Sequence, residues 1–389
     1  MKFSNLSLCA LVALTAAPAF AWPGMGKINE ALVKREHGND DGSDTPELIG
    51  DLKTTPPHQW SEVGHTVAGI IMGDISGESN EGGGRYKPPG ALRTKKCKQD
   101  ECCVWGHVSD FLTTQFTTPS GQCNDYARAS VRMGFHDAGT WSKSKAAQGQ
   151  DFGGADGSLV LAREEIRRPE NKGLEEIVGK AREWAIRFGV GVADMVQFMA
   201  IHAVVSCPLG PRIRVFVGRM DSSRPCIDGL LPGVTQPPDD LIALFEDKTI
   251  SPHDLAALLG AHTTSRQFFF NESHAGEPQD DTPGIWDVRF YGQTLQDGPD
   301  GVFKFESDIA LGNHPKVHDE WISFAGPGGQ DHWNEDYAMA YTRMSMLGVN
   351  NINSTSPFTD FWFSRNTAAN SSLRFDRVYK GSTKREERG

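Results

Sequence analysis

Two histidines stand among residues that could perform acid–base or metal-ligand chemistry. In the segment RMGFHD, Arg132 and His136 are four residues apart, so a helix would place a fixed cation and a base on one face. His262 ends the apolar segment LAALLGAH, where an imidazole could ligate a metal or bond a carbonyl oxygen. Taken alone, each histidine is more often a satisfied polar residue of the core. The neighbouring residues therefore decide how the histidines are interpreted.

Oxygen-rich segments adjoin both histidines. Asp137 follows His136 and is joined further along by GGADGS, while Thr263 follows His262 and is joined by DDTPGIWD. Calcium prefers such carboxylate, hydroxyl and carbonyl oxygens, although a Gly-rich Asp loop alone is a common turn. The first candidate calcium site comprises Asp137, the Gly154 carbonyl, Asp156 and Ser158. The second comprises Thr263, Asp280, Thr282, the Ile285 carbonyl and Asp287.

Helices are the elements that must position these residues. From residue 97 to about 350 the apolar spacing is mostly helical, and alternating strand patterns are nearly absent. The segment SPHDLAALLGAHT begins with three helix-start signals: Ser251 as N-cap, Pro252 at the first helical position and Asp254 in the first turn. The sequence therefore predicts a mainly α fold, with His262 on the face of an apolar helix.

The order and separation of these motifs resemble those of the secreted fungal haem peroxidases of class II in the plant-peroxidase superfamily, over roughly residues 97–350. The segments that carry the resemblance are RMGFHD, GGADGS, ENKGL, LLGAHT, DDTPGIWD and FKFESD. The resemblance implies a two-lobed haem peroxidase fold, with distal and proximal helical lobes at about 96–235 and 236–350. It also implies haem b held non-covalently between the lobes and one calcium ion in each of them.

On the proximal side, the resemblance makes His262 the axial ligand of the haem iron. Asp308 corresponds to the carboxylate that accepts the other ring proton of this histidine and so raises its basicity. The position before Asp280 is usually aromatic in the family, and here it is Gln279. Redox tuning on this side is therefore expected to differ from that of the usual members.

On the distal side, the resemblance makes His136 the base that takes a proton from hydrogen peroxide. Arg132 would stabilise the departing hydroxide, and Asn171 would orient His136. Glu165 is expected to hold Asn171 in turn. Phe135 would pack on the haem and keep the pocket dry.

Two specialised substrate sites of the family are incomplete in this chain. Lignin-oxidising members carry a surface tryptophan five residues before the proximal histidine, where this chain has Ala257. Manganese-oxidising members use three carboxylates, and the matching positions are Asp125, Ala129 and Phe268. One carboxylate of three holds a divalent ion weakly. By elimination, we expect one-electron oxidation of small phenolic or aromatic donors.

The N-terminus and the cysteines indicate secretion. Residues 1–21 have the charged start, apolar run and small-residue cleavage pattern of a signal peptide. The six cysteines that remain favour disulfides, with a structural zinc site as the weaker alternative. The resemblance implies Cys97–Cys103 and Cys123–Cys207, and parity alone then pairs Cys102 with Cys226. Sequons for N-glycosylation lie at Asn271, Asn353 and Asn370.

The flanking segments and the charge complete the prediction. Residues 22–95 are expected to form a partly ordered N-terminal extension, and residues 351–389 a C-terminal tail. A net charge of -11 argues against nucleic acid or an anionic membrane as partner. We expect a monomer that meets hydrogen peroxide and small aromatic substrates.

Two alternative functions remain open at this point. The first is a calcium-stabilised secreted interaction protein with weak or no peroxidase activity, and the intact set of distal and proximal residues counts against it. The second is an intracellular scavenging peroxidase, against which the signal peptide and the paired cysteines argue.

Overall fold

Helices joined by loops make up the structure, which is a computed structural model describing residues 46–79, 86–296 and 298–353. Within these ranges there is no strand, and three isolated β-bridges are the only extended pairings. The prediction of a mainly α fold is confirmed. The predicted signal peptide at 1–21 and the sequon at Asn370 lie outside the described residues.

The α-helices of the described ranges follow one another from residue 62 to residue 344. They are α1 (Glu62–Ile71), α2 (Lys95–Lys98), α3 (Cys102–Phe116), α4 (Asp125–Ala138), α5 (Lys143–Ala147), α6 (Ser158–Leu161), α7 (Glu175–Phe188), α8 (Val192–Ser206), α9 (Pro238–Glu246), α10 (Pro252–Leu259), α11 (Arg289–Leu295), α12 (Glu306–Gly312), α13 (His318–Ala325) and α14 (Gly329–Met344). Short 3₁₀ helices lie at Gly50–Leu52, Pro57–Gln59, Glu165–Arg167, Pro169–Asn171, Gly260–Thr264 and Glu272–His274.

One group of helices forms around α8, whose residues are all buried. The helix α4 packs along it, and α3 and α7 flank the pair. Asn124 begins α4, because its side-chain oxygen accepts hydrogen bonds from the backbone N–H groups of Tyr126 and Ala127. Such an N-cap contributes about 1 kcal/mol and fixes where the helix starts. It thereby sets the positions of Arg132 and His136, about two and three turns further on.

A second group of helices forms around α10, which packs on α14 and contacts α13. The Ser251 hydroxyl accepts a hydrogen bond from Asp254 N, and Pro252 occupies the first helical position, as the start signals predicted. The α-helix ends at Leu259 and tightens into a 3₁₀ turn, so His262 lies in that turn rather than in the helix itself. Gly260 is required there, because a Cβ would come within 2.4 Å of Trp333 and of the Tyr291 hydroxyl.

Two disulfides cross-link the described chain. They join Cys97 to Cys103 and Cys123 to Cys207, in agreement with the pairing that the resemblance implied. The prediction of a third disulfide between Cys102 and Cys226 is wrong. Cys102 lies half-buried at the start of α3, whereas Cys226 is buried against charged side chains near Glu165. An even number of cysteines therefore did not mean that all of them pair.

The segment before residue 95 contributes ordered structure to the helical body. Helix α1 packs on α14, and the Asp51 carboxylate accepts hydrogen bonds from Ile352 N and Asn353 N at 2.8 and 2.9 Å. No single helix of the described ranges has the length and apolar composition of a membrane span. Helices α7 and α8, which are bent by 113° relative to each other, meet this criterion for a membrane span only as a pair, and only by length and composition.

Candidate active site

His136 is held by a chain of hydrogen bonds that begins on α4 and ends in the loop before α7. Its Nδ1 lies 2.8 Å from Asn171 Oδ1, and Asn171 Nδ2 donates to the backbone carbonyl of Glu165 at 2.7 Å. Because the amide oxygen can only accept, Nδ1 carries the proton. Nε2 is then the basic nitrogen, and Arg132 Nε approaches it at 3.3 Å. The arrangement presents an oriented base beside a cation.

The Arg132 guanidinium is fixed by backbone oxygens rather than by a carboxylate. It donates to the carbonyl of Lys172 at 3.0 Å and to that of Glu170 at 2.7 Å. Burial first, and then the positive charge of Arg132, lowers the pKa of His136 to about 3. At neutral pH the imidazole is therefore uncharged and free to accept a proton.

Glu165 and Cys226 form a support behind this chain that sequence reasoning missed. Asn171 was expected to be held by Glu165, and it is, but through the backbone carbonyl. The Glu165 carboxylate instead accepts from Cys226 N at 2.8 Å and lies 3.2 Å from its Sγ. Arg168 lies 2.9 Å from the same sulfur. Burial first, and then Glu165, raises the pKa of the Cys226 thiol to about 12, so it stays protonated and donates to the carboxylate.

His262 has a carboxylate partner instead of an amide. Its Nδ1 lies 3.0 Å from Asp308 Oδ2, and Asp308 is buried at the start of α12. No hydrogen bond to a described residue occupies its Nε2. About one third of the side chain is exposed, although residues 255–258 of the helix leading to it are buried. The ring therefore offers an unshared nitrogen to the space that it faces.

Gln279 adds a contact that the sequence marked only as a departure from the family pattern. The side chain is buried, and its Nε2 donates to Asp308 Oδ2 at 3.1 Å, the same oxygen that faces His262. The Ser265 hydroxyl donates to the amide oxygen of Gln279 and fixes its orientation. The proximal carboxylate is thus shared between an imidazole and an amide.

The four residues of the first candidate calcium site converge after α4. The Asp137 carboxylate is fully buried and accepts two backbone N–H groups, at 3.1 and 3.3 Å. Asp156 Oδ1 accepts from Ser158 N at 2.9 Å, and the buried Ser158 hydroxyl has no hydrogen-bond partner among the described residues. Gly154 packs so closely on Leu347 that a Cβ would come within 2.2 Å of its carbonyl oxygen.

The electrostatics of this loop fit a bound cation. Burial first, and then the neighbouring Asp156, raises the pKa of Asp137 well above its usual value. Burial also raises the pKa of Asp156. A divalent ion would compensate both carboxylates and take the orphaned Ser158 hydroxyl as a further ligand.

The second candidate calcium site shows the same features beside His262. The Thr263 hydroxyl donates to Asp280, and the Thr282 hydroxyl donates to Asp287 Oδ2 at 3.0 Å. Asp280 is fully buried, and this burial raises its pKa to about 7. Burial raises the pKa of Asp287 as well. The Ile285 N–H donates to the Thr282 carbonyl, which closes the loop that carries the predicted Ile285 carbonyl ligand.

Aromatic residues lie beside both histidines, Phe135 beside His136 and Phe290 with Phe305 beside His262. Phe135 stacks on Phe245 with ring centroids 6.0 Å apart and meets the edge of His136. Phe268, Phe269 and Phe270 are about half exposed in a row after the His262 turn. At the positions of the specialised substrate sites, Ala257 is fully buried and Asp125 is paired with Arg128.

Comparison with known proteins gives one consistent result. Residues 108–326 match the protein family described as peroxidase. A peroxidase of Coprinopsis cinerea is 32% identical over 302 residues, which cover 73% of this chain and 82% of that protein. A peroxidase of Arthromyces ramosus is 31% identical over 303 residues, with the same two coverages. Manganese peroxidase 3 of Phlebia radiata is 30% identical over 266 residues, or 64% of this chain and 73% of that protein.

Proposed function

Because the chain belongs to the peroxidase family, with fungal class II enzymes among its relatives, we propose that it acts outside the cell, where it oxidises small phenolic or aromatic donors. Membership of this family identifies the protein as a hydrogen-peroxide-dependent haem peroxidase, as the motifs predicted. The observation that carries the proposal is the oriented, uncharged His136 beside the fixed Arg132.

The proximal residues fit a haem. His262 would hold the iron through Nε2, which makes no hydrogen bond to a described residue, while Asp308 accepts the proton on Nδ1. Bound haem would supply an iron that takes two oxidising equivalents from peroxide and passes them to donors one at a time. Phe135 and Phe245 would cover the opposite face with apolar surface.

The distal residues perform the proton chemistry. His136 Nε2 takes a proton from hydrogen peroxide, and Asn171 stabilises the positive ring through the proton on Nδ1. Arg132 stabilises the negative charge that develops as the O–O bond breaks, and His136 returns its proton so that water leaves. Such acid–base catalysis contributes about 10²–10⁴-fold in rate.

Exposed phenylalanine rings near this site favour aromatic donors. Phe269 packs against Gly173, where a Cβ would come within 2.4 Å of its ring, and Lys172 Nζ lies 4.7 Å from the ring centroid. Lys172 also supplies one of the carbonyls that hold Arg132. Phe269 of the exposed row therefore lies beside the segment that fixes Arg132, and the row offers rings on which a phenol can stack. The two calcium ions would hold the loops that follow His136 and His262.

The test of the proposal is the rate of reaction with hydrogen peroxide and phenol as donor. We expect His136→Ala to lose about 10²–10⁴-fold, with haem still bound, because the base is gone. The exposed His58 provides the matched control, since His58→Ala removes an imidazole far along the chain. An inactive parent protein with no haem would contradict the proposal and favour a secreted interaction protein.

A further inference from the structure

A second group of histidines and carboxylates lies at the opposite end of α10 from His262. His253 stands in the first turn of α10, Glu320 in α13, and His332 and Asp336 one turn apart in α14. These three helices pack on one another, so the four side chains meet although they come from distant parts of the sequence. None of the four belongs to the site described above.

The distances within this cluster are short and similar. His253 Nε2 lies 3.6 Å from Glu320 Oε2 and 3.5 Å from Asp336 Oδ2. His332 Nε2 lies 3.4 Å from Glu320 Oε1 and 3.0 Å from Asp336 Oδ2. One ligand atom from each of His253, Glu320 and Asp336 lies within 4.8 Å of the other two. Both imidazoles therefore turn their Nε2 atoms toward the same two carboxylates.

These distances match the geometry of a small tetrahedral ion. Two ligand atoms bonded at about 2.0 Å to such an ion lie about 3.3 Å apart. The four nitrogen–oxygen distances, 3.0–3.6 Å, fall around that value, with Glu320 presenting Oε2 to His253 and Oε1 to His332. The ligand atoms that all lie within 4.8 Å of one another are those of His253, Glu320 and Asp336. Calcium would require longer bonds and an all-oxygen set of ligands. Two imidazoles with two carboxylates instead suit a divalent transition-metal ion.

Two buried oxygens provide an independent observation. Glu320 Oε1 and Asp336 Oδ2 are shielded from solvent, and neither accepts a hydrogen bond in the described ranges. Asp336 as a whole is 9% exposed. A buried carboxylate oxygen that accepts no hydrogen bond is costly, because it has lost its water. The histidine nitrogens approach these two oxygens at ion-pair distances without forming hydrogen bonds, so the oxygens remain available to an ion.

The partners of His253 and His332 on the Nδ1 side leave both Nε2 atoms available as metal ligands. His332 Nδ1 lies 3.0 Å from the Ser323 hydroxyl, which orients the ring. His253 Nδ1 faces Asp254 at 3.7 Å. Such partners on the far ring nitrogen are typical of metal-binding histidines. The histidine side chains are 43–44% exposed, so an ion can enter from solvent while the carboxylates lie beneath.

From this geometry we infer that His253, Glu320 and Asp336, with His332 at their edge as a fourth ligand, bind one divalent transition-metal ion, for which Zn²⁺ is the best fit. The ion joins the start of α10 to α13 and α14. Because α10 leads directly into the turn that carries His262, this site anchors the first turn of the proximal helix. The role is structural and does not depend on which donor the enzyme oxidises.

Equilibrium binding of Zn²⁺ to the calcium-saturated, haem-loaded protein tests the inference. We expect one Zn²⁺ per chain by metal analysis after dialysis, and a thermal midpoint that rises with added Zn²⁺. His332→Gln and Asp336→Asn should each weaken binding at least about 10–100-fold, the loss that follows removal of even an outer partner. The control is His274→Gln, because His274 pairs with Glu277 at an exposed position outside the cluster; it should bind like the parent.

The opposite results would overturn the inference. If the parent binds no more Zn²⁺ than the double variant His253→Gln/His332→Gln, the cluster is a set of histidine–carboxylate ion pairs and not a metal site. Equal loss of binding in His274→Gln would likewise reject it. The haem absorption spectrum shows that each variant is folded. His332→Gln, at the exposed edge, keeps the test valid if Asp336→Asn fails to fold.

Discussion

His136 and His262 both have Nδ1 hydrogen-bonded to a side-chain oxygen, but that oxygen belongs to an amide in one case and to a carboxylate in the other. The neutral Asn171 lets burial and Arg132 keep the first imidazole uncharged, with a pKa of about 3. The Asp308 carboxylate accepts the hydrogen bond from Nδ1 of His262 and thereby makes Nε2 of His262 more electron-rich. Under the proposed function, the same side chain would be a proton acceptor at one place and a metal ligand at the other.

After the loss expected for His136→Ala, the largest effect should come from removing the cation on the distal side. Arg132→Leu should slow the reaction with hydrogen peroxide about 10²–10³-fold, because a fixed donor to developing negative charge is lost. The exposed Arg182 on α7 provides the control Arg182→Leu, which should react like the parent. Stopped-flow measurement of the haem absorption change gives the rate. A loss shared by both variants would point to general destabilisation.

Making the distal partner resemble the proximal one tests the comparison directly. A base works unprotonated, so the rate of the parent should stay constant from neutral pH down to about pH 4, one unit above the His136 pKa. In Asn171→Asp the new carboxylate would favour the imidazolium form of His136 and raise its pKa. As the pH is lowered, the rate of this variant should therefore begin to fall at a higher pH than the rate of the parent. Asn124→Asp retains an N-cap and serves as the control. Superimposable pH–rate profiles would break the comparison.

Making the proximal partner neutral should change the redox balance rather than the proton chemistry. Asp308→Asn should weaken the electron donation by His262 and raise the one-electron reduction potential of the resting iron. Partners of metal ligands typically change metal affinity 10–100-fold. A change of that size in the relative stability of the oxidised and reduced iron corresponds to a shift of about 60–120 mV in the potential. Asp319→Asn, at an exposed position on α13, is the control. An unchanged potential would mean that Asp308 only positions the ring.

The smallest effect should come from Gln279, and it has the opposite sign. Its amide shares Asp308 Oδ2 with His262, so Gln279→Leu would leave the oxygen to His262 alone. The potential should then fall by some tens of millivolts, which is less than a tenfold change in equilibrium. Spectroelectrochemical titration beside the exposed control Gln296→Leu measures it. A rise in potential would contradict this role.

Local patterns predicted the helices and neighbouring residues, whereas long-range contacts needed either the resemblance or the structure. Four-residue spacing predicted that Arg132 and His136 share a face, and the two lie 3.3 Å apart. The start of α10 followed from Ser251 and Pro252 alone. Asn171 is 35 residues from His136, and only the resemblance assigned it.

Contacts between distant helices left little trace in the sequence. The residues of the proposed Zn²⁺ site come from α10, α13 and α14, and only His332 and Asp336 have a helical spacing. Parity of the cysteines failed because a buried thiol can be satisfied by hydrogen bonds as well as by a disulfide. The role of the Glu165 carbonyl depends on the 3₁₀ turns at 165–171, which side-chain patterns do not encode.

Cys226 bears on how long the enzyme survives its own oxidant. Its thiol is buried and has a pKa of about 12, and oxidation by peroxide proceeds through the thiolate. The sulfur is thus kept in its least reactive form. Were it oxidised, the added oxygen would push against Glu165, whose carbonyl holds Asn171 and through it His136. Burial and protonation of this one sulfur therefore protect the hydrogen-bond chain that orients His136.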